Sequence, residues 1–155
     1  MARVEALVDR APALAPLRPE QRAALAGCAH DRIFADGERI MREGDPADAF
    51  YVILEGAVAL ETDVPGRGAV VLHTLHDGEL LGWSWLIPPY RTAFGARSLG
   101  ATHVLAIDGA CLRRRCEAEP ALGYALLKIV ATVFVERLRD TRLRLLDVYG
   151  KAARG

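Results

Sequence analysis

Near the middle of the chain, residues 82–93 gather the side chains best suited to holding a small molecule: Gly82, Trp83, Ser84 and Trp85, then Arg91, Thr92 and Ala93. Arginine beside threonine offers a fixed charge and a hydroxyl donor to an anion. Ala93 is small enough to let backbone come close, and the two indoles bring apolar surface with a single N–H donor each. Each residue also has a plainer role. Arg91 alone reads as a solvated or salt-bridged surface arginine, and Trp83 and Trp85 alone read as core. Spaced two apart, the tryptophans share a face on a strand and splay in a tight helical turn.

Other constellations are weaker. His73, His76 and Glu79 suggest a metal triad, but His73 and His76 lie at odd spacing and would face opposite sides of a strand. His103 is distant in sequence, and His30 falls at the end of a front helix. We therefore expect no metal site. Cys28, Cys111 and Cys116 match no zinc spacing and leave one over after any pairing, so three reduced thiols are expected. Nucleophile elbows, P-loops, paired acids and Rossmann glycines are absent from the sequence, which reads as non-catalytic.

The elements that must position the central residues follow from punctuation. Glycines at 37, 44, 56, 66, 78, 82, 95, 100 and 109 separate short apolar runs such as 50–54, 57–61, 69–75 and 102–107. Turn signals at that interval indicate an all-β sandwich or barrel rather than βαβ units. Residues 64–68, Val-Pro-Gly-Arg-Gly, suit a hairpin tip. Pro19 opens a helix over 19–29, Asp108 caps a short helix through 115, and Pro120 opens a helix over 120–149 of about 45 Å.

Along that last helix Ala131, Phe134, Leu138, Thr141, Leu145 and Val148 recur at alternating spacings of three and four, a heptad seam suited to a dimer. Leu126, Ile129, Val130 and Val133 form a second face that can lean on the β-domain. Arg137, Arg142 and Arg144 flank the seam, and Arg137 would repel Arg142 of a parallel partner. Arg113, Arg114 and Arg115 read as a solvated face.

Composition sets the bounds. The 155 residues are 52% hydrophobic and carry 20 basic against 20 acidic side chains, enough apolar material for one domain without staples. Charge is uneven: 10 basic against 15 acidic through residue 109, then 10 against 5 beyond it. No stretch reads as a signal peptide or a membrane span, so the expected location is the cytoplasm.

From Asp36 to Leu60 the chain reads DGERIMREGDPADAFYVILEGAVAL. This run resembles the opening of the cyclic-nucleotide-binding domain of catabolite-activator-like (Crp/Fnr-like) proteins, kinase regulatory subunits and gated channels. Its glycines and aspartates turn corners and its apolar residues alternate inward, so the stretch is scaffold. The resemblance implies a mostly β fold, an eight-stranded antiparallel β-roll (jelly roll) with flanking helices and a long C-terminal helix. It implies a single domain over 1–155, with helical residues 14–30, the roll at 31–108 and C-terminal helices at 109–149. In the activator branch a winged helix for DNA follows, and this sequence offers no counterpart, so a stand-alone sensor module without a DNA-binding domain is expected.

In the family, a Gly-Glu-Leu loop followed by an arginine holds ribose and cyclic phosphate. Gly78-Glu79-Leu80 matches literally, but strand order and the spacing to Arg91 place the loop glycine at Gly82, with Trp83 where the family has its glutamate. Gly82, Trp83, Ser84, Trp85, Arg91, Thr92 and Ala93 are therefore the expected ligand-binding residues, with Arg91 on the phosphate. Three outcomes stay open: another anionic ligand in a more apolar pocket, a filled cavity in a degenerate dimerisation or protein-interaction module, or a cyclic nucleotide (cAMP or cGMP) bound without the acidic contact. The expectation is a non-catalytic sensor with no required cofactor, a homodimer through its last helix and an effector protein downstream, with no membrane partner.

Overall fold

The computed structural model describes residues 2–154. Helix α1 (Ala2–Arg10), a 3-10 turn (Pro12–Leu14) and α2 (Pro19–Ala26) precede the strands β1 (Ala29–Phe34), β2 (Arg39–Met41), β3 (Ala49–Val64), β4 (Gly68–Leu75), β5 (Leu80–Leu81) and β6 (Gly95–Asp108). Helices α3 (Gly109–Ala118) and α4 (Pro120–Arg154) complete the chain. All pairings are antiparallel. The order is β1-β6-β3-β4, with β2 also on β6 and β5 on β3.

The described residues hold six strands in one open antiparallel sheet, where the resemblance implied an eight-stranded roll. The difference lies in two glycines. Gly56 and Gly100 divide apolar runs in the sequence and look like turns, but β3 and β6 each run through them as one long strand. Gly56 bends β3 at a φ of +127°, where the register with β6 shifts, and a Cβ there would stand 2.7 Å from Thr102 Oγ1. Only glycine allows that backbone approach.

Helix α2 stops at Ala26, three residues short of the expected end, and His30 lies on β1 opposite Ala106. Helix α1 was not expected, although Val4, Leu7 and Val8 fall at helical spacing and pack on the core. Asp108 caps α3 as expected, its carboxylate accepting from Cys111 N–H at 2.7 Å. Helix α4 outruns its expected end by five residues. Val64 pairs with Gly68 to close the hairpin.

Two buried clusters sandwich the sheet. One, on the face of the sheet turned away from the helices, contains Phe34, Tyr51, Ile53, Val58, Leu60 and Leu81. The other joins Phe50, Val52, Trp85, Leu105 and Ile107 to Leu14, Leu25, Leu112, Leu122 and Leu126 of the helices. Strand β3 is thus covered on both faces near Phe50, which explains a run of continuous rather than alternating apolar residues. Leu126, Ile129 and Val130 are buried and Val133 packs beside them, as the second face of α4 requires.

The expectation of three reduced thiols is overturned. Cys28 and Cys111 form a disulfide with Cα atoms 5.7 Å apart, which leaves Cys116 free. Sequence spacing could not pair them, because 83 positions separate the two. No helix among the described residues is long and apolar enough to cross a membrane.

Candidate ligand site

The loop 82–93 leaves β5 at Gly82, whose φ is +89° and whose absent Cβ would touch Met41 Cε at 3.3 Å. Helical turns follow, with Leu86 N–H donating to Trp83 O at 3.2 Å and Ile87 N–H to Ser84 O at 3.3 Å. This geometry splays the two tryptophans. Trp85 is 1% exposed and stacks on Phe50 with ring centroids 4.8 Å apart. Trp83 is half-buried and turns the other way, 4.6 Å from the ring of Phe134 on α4 and 6.1 Å from Phe94.

The far end of the loop is sewn to the corner between β2 and β3. Thr92 N–H donates to Asp45 O at 2.8 Å, Gly44 N–H to Thr92 O at 2.9 Å and Ala47 N–H to Tyr90 O at 2.8 Å. Thr92 Oγ1 is buried on the carbonyls of Arg42 and Asp45, so its hydroxyl is spent on backbone. Arg91 is exposed and donates through Nη1 to Gly44 O at 3.3 Å. Its guanidinium stands on the rim with charge facing water.

Gly82, Ser84, Thr92 and Ala93 do line one hollow, together with Met41, Ala47, Ala49 and Phe94. Its volume is about 10 Å³, roughly the room for one water. Trp83, Trp85 and Arg91 do not line it. Met41, Ala49 and Thr92 form a wall shared with a second hollow of about 180 Å³, bounded by Ile40, Arg42, Asp45, Pro46, Asp48 and Tyr51. Burial, more than the nearby charges, pushes the Tyr51 phenol up, so it stays neutral.

Two helices grip the loop from outside. Arg113 of α3, expected in a solvated face, instead donates to Trp85 O at 2.5 Å and lies 4.5 Å over the Tyr90 ring. Arg114 and Arg115 are exposed. Arg137 of α4 donates to Leu80 O on β5, just before the loop, and burial lowers its pKa. Arg144 reaches Leu72 O and lies 3.4 Å from His73 Nδ1. These two arginines fold back on their own sheet.

Among the seam residues, Phe134 leans on Trp83, while Ala131, Leu138, Thr141, Leu145 and Val148 are exposed on the single chain. His76 and Glu79 share a turn in which His76 N–H donates to the Glu79 carboxylate at 2.6 Å, so Glu79 serves backbone. Sequence reasoning missed Met41, Phe94 and Arg113. Phe94 adjoins the expected set and could have been added. Met41 and Arg113 arrive from distant elements and left no local mark.

The family model described as the cyclic nucleotide-binding domain matches residues 31–119, more than half of the chain. The chain is 31% identical over 115 residues to a cAMP-dependent protein kinase regulatory subunit of Dictyostelium discoideum, covering 72% of this chain and 35% of that protein. It spans only about a third of that relative's length. Among solved structures, a candidate cyclic nucleotide-binding protein from Geobacter metallireducens GS-15 is similar at a TM-score of 0.77 and 30% identity, over 88% of this chain and 96% of the other. The N-terminal domain of a transcriptional regulator from Streptomyces coelicolor A3(2) is similar at 0.66 and 30% identity, over 90% and 94%.

Proposed function

The chain belongs to the cyclic nucleotide-binding domain family, and we propose that it is a non-catalytic, cytoplasmic regulatory module that takes a cyclic nucleotide or another small anion at the loop 82–93. Arg91 supplies the charge, Gly82, Ser84 and Ala93 supply close backbone, and Thr92 fixes the rim. Trp85 is the loop's buried anchor, and Trp83 is its contact with α4. No further cofactor is needed.

One observation carries the reading: the loop that bears Arg91 touches α4 through Trp83 and Phe134, whose rings lie 4.6 Å apart. A ligand that moves Trp83 must therefore move α4 or loosen it. Met41 stands in the wall between this hollow of about 10 Å³ and its larger neighbour, and a swing of its flexible thioether chain widens the smaller one. Signalling then passes along α4 to a homodimer through Ala131, Phe134, Leu138, Thr141, Leu145 and Val148, or to an effector protein.

The small hollow favours a second reading. Pocket ligands of this size class need about 300 Å³ or more, so a module that never opens would serve as a dimerisation or interaction unit. Thermal unfolding with cAMP and with cGMP separates the two. A bound nucleotide at a hundred times its Kd stabilises by ~2.7 kcal/mol, and Arg91→Ala should weaken that binding by about tenfold or more. No shift with either nucleotide removes both as ligands, and no shift with inorganic phosphate as well supports the interaction module.

A further inference from the structure

We propose that Cys28 and Cys111 are a redox-sensitive pair whose oxidation state sets how firmly α3 holds the ligand loop. The pair joins the end of the α2 turn to the first turn of α3. Two residues beyond Cys111, Arg113 holds Trp85 O and covers the Tyr90 ring. The contact is continuous at the helix start as well, since a Cβ on Gly109 would stand 2.9 Å from Trp85 Cβ. A covalent bond to Cys111 therefore clamps the short segment of helix that touches the loop.

The bond is placed for regulation rather than for folding. A chain of this length with two buried clusters needs no staple. Backbone already fixes the junction: Asp108 N–H donates to Cys28 O at 2.8 Å and Gly109 N–H to Asp48 O at 2.8 Å. The Asp108 cap and the fully buried Leu112 remain after reduction. What reduction frees is the lateral position of α3 and with it Arg113.

The chemistry is thiol–disulfide exchange with a small dithiol. Cys28 is buried while Cys111 is only partly covered, so a thiolate of the dithiol attacks Cys111 Sγ. The Sγ–Sγ bond breaks, Cys28 leaves as thiolate and takes up a proton. The second thiol of the reductant, as its thiolate, closes onto its own sulfur and releases Cys111, which is protonated in turn. Two electrons pass to the protein, and the reductant becomes a cyclic disulfide. A small-molecule disulfide reverses the sequence. Cys116, on the same helix, does not compete: burial first, and then Glu117, hold its thiol above the usual range, so it stays protonated and a poor nucleophile.

The effect on ligand affinity rests on the loop being the ligand site, whereas the link between pair and loop does not. The test is hydrogen exchange on the whole chain, purified without reductant, then treated with dithiothreitol and afterwards with oxidised glutathione. Iodoacetamide in denaturant should label one thiol before reduction and three after it. Exchange of amides 83–91 should rise about tenfold on reduction and return on reoxidation, with residues 104–107 unchanged. Cys28→Ser with Cys111→Ser should show the faster exchange in both conditions, and if that variant does not fold, the reversible measurement on the native chain still decides.

Three labels before reduction, unchanged loop exchange, or a rise spread equally over the core would each overturn the proposal. A loop that responds to redox in a chain that binds neither nucleotide would remove cAMP and cGMP as its ligands and leave the redox link standing.

Discussion

Trp83 and Trp85 are chemically identical and two positions apart, yet the turn between them gives each a different energetic role. Trp85 stacks on Phe50 in the core, where its Nε1 has no acceptor among the described residues. Trp85→Ala should therefore cost about 3–5 kcal/mol in denaturant unfolding, and Trp85→Phe less, since the unpaired donor leaves with the indole. Trp83→Ala should cost only about 1–2 kcal/mol, because the ring is half-buried. Equal losses at the two sites would contradict the splayed geometry. The types of Arg91 and Thr92 were legible from spacing and resemblance. The direction of the Thr92 hydroxyl was not, because its acceptors, the carbonyls of Arg42 and Asp45, lie 50 and 47 positions away.

Turn and cap chemistry of whole elements could be read wherever it is local. Pro19, Pro120 and the Asp108 cap mark helix starts, and residues 64–68 form the hairpin tip. Strand number could not be read, because a glycine that ends a strand and a glycine that bends one look alike in sequence. At Gly56 the deciding fact is Thr102, brought across from β6. Gly56→Ala should destabilise the fold by about 2–4 kcal/mol, since it joins a disfavoured φ to a clash with backbone. A loss under 1 kcal/mol in chemical denaturation, far below that ~2–4 kcal/mol, would show that β3 and β6 can part at the bend. The face of α4 next to the core was legible from Leu126, Ile129 and Val130, whereas the inward turn of Arg137 and Arg144 depended on the carbonyls of Leu80 and Leu72, brought there by the sheet.

Across the whole molecule, that inward turn removes one obstacle to association. With Arg137 engaged on its own sheet, the repulsion expected against Arg142 of a parallel partner is weakened at its source. Leu138, Leu145 and Val148 are left exposed, at 70%, 54% and 62%. Light scattering should give a two-chain mass for the native chain and a one-chain mass for Leu138→Glu with Leu145→Glu. A single-chain mass for both would sink the dimer. The uneven charge recorded in the sequence follows the same division, with the acidic excess on the roll and the basic excess on α3 and α4. Family, mostly β architecture and the starts of α2, α3 and α4 could be read from the chain, because they depend on neighbours a few positions apart or on a recurring pattern. The small hollow beside Met41, the Cys28–Cys111 bond, the grip of Arg113 and the strand count required the folded molecule, because each rests on groups from distant elements meeting within a few ångströms.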